Sequence, residues 1–193
     1  MRVAIDVDGV LLDLMVEYCE IFNKKYNTSY SKEDVAHWEF FRDWNISEEA
    51  AYEIFHKIYE NSQKVPFIDN DALKVLNSLY QNHYIDIVSA RTFKFKRELR
   101  KALESHKVYR NVHYRNLILV SNKPYDIKLN LDYDIYVDDN PNLVNPITQF
   151  SKKFLLLYDQ PWNQNAKNSK NVIRIKNWKE IETTFKQLEN GLF

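Results

Sequence analysis

With 193 residues, 45% of them hydrophobic and 28% charged, the chain is long enough for one domain with a full core plus an insertion, and has the balance of a soluble globular protein. Lys plus Arg and Asp plus Glu both total 27, so no overall field draws in a membrane surface or a polymeric nucleic acid. The single cysteine, Cys19, excludes an internal disulfide, fits a reducing cytoplasm and reads as a packing residue on a helix.

Residues 2–7 form a short apolar run rich in β-branched side chains, the pattern of a buried strand. Asp6 and Asp8 interrupt it, so no signal peptide is expected, and nothing later reads as a membrane span. Leu14, Tyr18, Ile21 and Phe22 then recur at helical spacing. Residues 27–46 are irregular and aromatic, with Trp38, Phe40, Phe41 and Trp44. Ser47 suits the N-cap of a helix carrying Ala51, Tyr52, Phe55, Ile58 and Tyr59 on one face. Pro66 ends that region, and Ala72, Val75, Leu76 and Leu79 mark another helix, capped by Asn70 or Asp71.

Strands are then expected at 84–88, 117–120, 135–137, 153–157 and 172–175. Between and after them come helices marked by Phe95/Leu99/Ala102/Leu103, Leu143/Ile147 and Trp178/Ile181/Phe185/Leu188. This alternation predicts an α/β fold with a parallel sheet covered on both faces. Residues 14–72 do not alternate and read as a helical insertion after the first strand.

Two glycines, Gly9 and Gly191, stand where average usage of about 7% gives about thirteen. Neither a Walker loop nor a G-x-G-x-x-G turn can be built, so a bound phosphate must rely on a metal, lysine and hydroxyls. The interior glycine directly follows Asp6-Val7-Asp8.

Open parallel sheets bind ligands outside the carboxyl ends of their strands. Those ends carry Asp6-Val7-Asp8-Gly9, Ser89-Ala90-Arg91 and Asp138-Asp139, and Lys128 lies in the segment feeding the strand before Asp138. Singly these signals are cheap. Asp-x-Asp recurs at Asp69/Asp71 and Asp132/Asp134, paired carboxylates also cap loops, Ser89 suits a turn, and Lys128 is one of 19 lysines. Together they are specific. Four acids crowding one edge repel unless a cation neutralises them, and hard oxygen ligands suit Mg²⁺. The lysine and the hydroxyl complete a phosphoryl-transfer site. An EF-hand is excluded, because its loop needs glycine at position six and Asp6 ends a strand. A receiver domain is excluded by the order of its acids, hydroxyl and lysine.

The order Asp, Ser, Lys, Asp-Asp, opening on Asp6-Val7-Asp8-Gly9-Val10, resembles the haloacid dehalogenase (HAD) superfamily of phosphatases. Within it the chain is similar to the 5'(3')-deoxyribonucleotidase family. Residues 6–13, the Ser89 strand end, Lys128 with Asp138-Asp139-Asn140-Pro141, Leu157-Tyr158-Asp159-Gln160-Pro161-Trp162-Asn163 and residues 172–180 carry the resemblance, while 14–72 match loosely.

The resemblance implies a Rossmannoid three-layer parallel sheet, with a catalytic core at 1–13 and 73–193 and a small helical cap at 14–72. It implies Asp6 as a nucleophile forming an aspartyl-phosphate and Asp8 as acid and base. Mg²⁺ would be held by Asp6, the Asp8 main-chain carbonyl and the Asp138/Asp139 pair. Phosphate would be bound by Ser89, the Ala90 amide and Lys128. The aromatics of 14–72 are either core or a stacking platform for a base, with Trp38 and Phe40 the expected platform. Arg91 either reaches phosphate or caps a helix end. The substrate implied is a small phosphomonoester, a (deoxy)nucleoside 5'- or 3'-monophosphate. The alternatives are another small phosphoester, a nucleic-acid 3'-phosphate, or a non-catalytic binding module. A cytoplasmic location is expected, and a homodimer is left open.

Overall fold

A computed structural model describes residues 1–167 and 169–190, so Gly191 lies outside the described residues. Six strands form one parallel sheet: β1 (Arg2–Ile5), β2 (Tyr84–Ser89), β3 (Leu117–Leu119), β4 (Ile135–Asp138), β5 (Phe154–Tyr158) and β6 (Val172–Ile175). Their order is β3-β2-β1-β4-β5-β6. The chain steps outward from β1 to β3, then returns to lay β4 on the other side of β1. That reversal opens a crevice at the carboxyl ends of β1 and β4, the place where such sheets bind ligands. Ile5 sits in register with Ile87 on β2 and with Val137 on β4.

The helices are α1 (Leu14–Tyr26), α2 (Glu48–Glu60), α3 (Ala72–Asn82), α4 (Lys96–Ser105), α5 (Val144–Ile147) and α6 (Trp178–Glu189). Strand residues alternate between the two faces, as a period of two requires. Val3, Ile5, Ile87 and Val137 enter one cluster with Leu76 of α3, Leu103 of α4 and Trp178 of α6. Ala4, Val88, Tyr136 and Leu155 face the other way, toward Leu143, Val144 and Ile147. Each fully buried Leu or Ile contributes about 1.5–3 kcal/mol. Within 14–72, Tyr18, Phe22, Ile54 and Ile58 belong to the first cluster too, so α1 and α2 share one apolar interior with the sheet.

Local chemistry explains several boundaries. The first strand stops at Ile5, short of the expected Val7, although the Asp6 amide still donates to Val137 O at 2.9 Å. Beyond it, Val7 O accepts the amides of Leu11 and Leu12, both at 2.8 Å, which folds the chain into a turn. Ser47 caps α2 by accepting the Ala50 amide at 3.1 Å, and Asn177 caps α6 by accepting the Glu180 amide at 3.0 Å. Asp71 occupies the cap position of α3 without a side-chain bond. Cys19 is buried. Among the described residues no helix is long and apolar enough to cross a membrane.

Candidate active site

The β1/β4 crevice gathers the acidic residues. Asp6 follows β1 and Asp138 ends β4, so adjacent parallel strands deliver both side chains to one edge. Lys128, on a 3₁₀ turn at Ile127–Asn130 pinned by buried Leu129, reaches between them. Its Nζ lies 2.9 Å from Asp6 Oδ1 and 2.6 Å from Asp138 Oδ2. Asp6, Asp138 and Asp139 each present an oxygen within 4.8 Å of the others.

One lysine does not balance three buried carboxylates. Burial pushes Asp6 up to about 7 even though Lys128 pulls it down, and Asp138 and Asp8 add to the rise. Asp139 is held well above the usual carboxylate range by burial, then by Asp6 and Asp138. Burial opposes the charge on Lys128, yet Asp138 and Asp6 outweigh it and hold the ammonium above its ordinary value. Asp139 Oδ2 accepts the Trp162 indole N–H at 2.9 Å, whereas its Oδ1 is buried with no hydrogen-bond partner. An unpartnered buried carboxylate oxygen beside two further acids is what a hard divalent cation would satisfy.

Gly9 makes the turn that follows Asp8. Its φ is +82°, and a Cβ there would lie 2.2 Å from Asp139 Oδ2, so both the conformation and the space call for glycine. Gln160 closes the turn from behind, donating to Gly9 O at 2.6 Å. Asp8 lines the cavity above the acids. Its two oxygens are taken by Arg91, at 2.7 Å from Nε and 2.5 Å from a terminal nitrogen. Arg91, expected to reach phosphate or cap a helix end, instead turns its guanidinium to Asp8.

The other expected residues fall as follows. Ser89 is buried at the end of β2, and its hydroxyl accepts the Arg91 amide at 3.3 Å. Ala90 lines the cavity together with Asp6, Asp8, Asp139, Trp38 and Phe40. Trp38 is half-buried and meets Tyr125 edge-on at 6.2 Å. Phe40 is only 4% exposed and packs on Tyr18, Trp44 and Phe55.

Tyr52, Phe55 and Tyr59 complete one wall and Tyr125 another. The sequence does not mark these as cavity residues. The helical periodicity of 52, 55 and 59 reads as core, and the available signal was that two of the three carry hydroxyls. Tyr125 and Asn122 sit in an unpatterned loop that offered none. The other two Asp-x-Asp pairs stand elsewhere. Asp69 accepts the Asp71 and Trp178 amides, and Asp132 and Asp134 engage Arg2.

The chain is similar to proteins of known family and fold. A nucleotidase of Clostridium acetobutylicum is 25% identical over 182 residues, covering 94% of this chain and 91% of its own. A 5'(3')-deoxyribonucleotidase of Bacillus subtilis is 24% identical over 186 residues, covering 93% of this chain and 95% of its own. Among solved structures, a haloacid dehalogenase-like hydrolase of Streptococcus pneumoniae superposes with a TM-score of 0.63 at 14% identity, over 95% of this chain and 97% of that one. A magnesium-bound HAD-hydrolase candidate of Bacillus subtilis gives 0.61 at 11% identity with the same coverage, so both establish a HAD-like fold. The family of 5' nucleotidase, deoxy (pyrimidine), cytosolic type C proteins matches residues 1–188, and the chain belongs to it.

Proposed function

We propose that this protein is a Mg²⁺-dependent phosphomonoesterase that hydrolyses (deoxy)nucleoside 5'- or 3'-monophosphates through a phosphorylated Asp6. Membership of the nucleotidase family makes it a phosphoric monoester hydrolase. One observation carries the finer reading. Asp6, bound to Lys128 at 2.9 Å, stands with Asp139 on the acidic floor of a cavity walled by aromatic rings.

In this reading an Asp6 oxygen attacks phosphorus. Its bond to phosphorus forms as the bond to the nucleoside oxygen breaks. Asp8 gives that oxygen its proton, then takes one from the water that attacks phosphorus and releases Asp6 and inorganic phosphate. Lys128 offsets charge between Asp6 and the phosphate, while the Ser89 hydroxyl and the Ala90 amide hold phosphate oxygens. Asp6, the Asp8 main-chain carbonyl and the Asp138/Asp139 pair would hold Mg²⁺, which would supply positive charge to the transferring group. Residues 14–72 act as a cap over a core of 1–13 and 73–193, excluding water and offering Trp38 and Phe40 to the base. A wall of rings suits a flat base better than a sugar phosphate. The substrate is a small molecule of the cytoplasm.

Phosphate release from deoxynucleoside monophosphates and p-nitrophenyl phosphate, with Mg²⁺ and with a chelator, tests this reading. Nucleotide turnover should need Mg²⁺, and Asp6→Asn should lower kcat more than about a hundredfold, or about 2.7 kcal/mol of barrier. A smaller loss removes Asp6 as nucleophile. Release from p-nitrophenyl phosphate but from no nucleotide removes the nucleotidase.

A further inference from the structure

Arg91 is the most fully buried charged side chain in contact with the site, yet it does not line the cavity. Its side chain is 0% exposed against 23% for Asp8, so it stands behind that carboxylate. It makes three engagements there. Two nitrogens fork the Asp8 oxygens at 2.7 and 2.5 Å, and the third donates to Ser62 Oγ at 2.6 Å. The guanidinium also lies 4.5 Å from the centre of the Tyr59 ring. Ser62 follows α2 and donates in turn to Tyr59 O at 2.8 Å. One planar cation thus joins the turn after β1, the end of β2 and the end of α2.

We infer that Arg91 is a positioning residue, which holds the Asp8 carboxylate in its reactive place and ties that place to α2. The inference rests on Asp8 being the acid and base. A carboxylate on a turn has two free torsions, and a fork that takes both oxygens removes them, which a lysine cannot do. Displacement of a reacting group by about 1 Å costs about a hundredfold in rate. Through Ser62 and Tyr59 the same fork aligns Asp8 with the wall that faces the substrate.

The test uses the full chain with Mg²⁺ and a deoxynucleoside monophosphate, with kcat and KM measured separately. Arg91→Met should lower kcat about a hundredfold and change KM less than about threefold. Arg91→Lys should remain about tenfold slow, because it keeps the charge without the fork. Ser62→Ala, a small change that leaves the fork, should cost about threefold in kcat alone. Arg91→Met placed on Asp8→Asn should add no further loss, since Arg91 acts only through Asp8. If the two losses multiply, or if KM rises with the Arg91 changes, Arg91 acts on the substrate itself and the inference falls. Wild-type kcat in Arg91→Lys overturns it as well, whether or not Arg91→Met folds. Wild-type kcat in Ser62→Ala overturns the link to α2. Wild-type kcat in Asp8→Asn instead overturns the acid–base reading beneath it, and the two failures are distinguished in this way.

Discussion

The Trp162 indole N–H donates to Asp139 Oδ2 at 2.9 Å, while Asp139 Oδ1 is buried without a hydrogen-bond partner. The indole therefore orients the carboxylate as the outer partner of a metal ligand does. Trp162→Phe keeps most of the ring volume and removes the donor. The Mg²⁺ concentration for half-maximal activity should rise about 10–100-fold, with kcat at saturating Mg²⁺ much less affected. A Mg²⁺ titration of phosphate release checks this, and an unchanged midpoint would show that the bond does not orient the ligand.

Gly9 is tied to the same carboxylate. Gly9→Ala places a methyl 2.2 Å from Asp139 Oδ2 at a φ of +82°, so the carboxylate must move. The left-handed conformation costs an alanine about 1–2 kcal/mol. Activity should fall much further than this modest loss of stability suggests. Thermal unfolding beside kcat measures both, and a wild-type kcat would mean that Asp139 is free to shift without consequence.

Trp38 and Phe40 should behave differently, although both line the cavity. Phe40 is 4% exposed, with ring centres of Tyr18 and Trp44 at 5.0 and 4.9 Å. Phe40→Ala should therefore cost about 3–5 kcal/mol of stability. Half-buried Trp38 is the freer surface. Trp38→Ala should raise KM for a deoxynucleotide about fivefold to a hundredfold, the worth of one stacked base, and change p-nitrophenyl phosphate much less. Equal losses on the two substrates would remove Trp38 from the base site.

His113 should make the fold sensitive to acid. It is buried, its Nδ1 accepts the Tyr109 amide at 3.1 Å, and burial holds it below its ordinary value of 6.5. The native state therefore binds fewer protons than the unfolded chain as pH falls through that value, so stability present above it is lost below. Asp6, raised from 3.8 to about 7, acts in the opposite sense, costing stability as pH rises across its window. Comparison of wild type with His113→Gln cancels that contribution. The variant should lose less Tm than wild type between about pH 8 and about pH 5. Equal losses would mean that His113 takes up its proton freely.

The chain by itself determined the α/β alternation, the HAD-like fold and the residues that stand at the strand ends. Short apolar runs rich in β-branched residues and bounded by turn signals favour buried strands. A parallel sheet then brings every strand's carboxyl end to one edge, so Asp6, Ser89 and Asp138 are legible from local pattern alone. Tertiary structure decided what each of these residues touches. Lys128 reaches both Asp6 and Asp138 because β1 and β4 are neighbours, a pairing that no local signal specifies. Arg91 meets Asp8 across 83 positions and Trp162 meets Asp139 across 23, each bond made by elements that converge only in the folded chain. The face of α2 carrying Tyr52, Phe55 and Tyr59 shows the same division. Helical spacing places these rings together, but whether they meet core or cavity depends on what packs opposite them, and that is a property of the assembled fold.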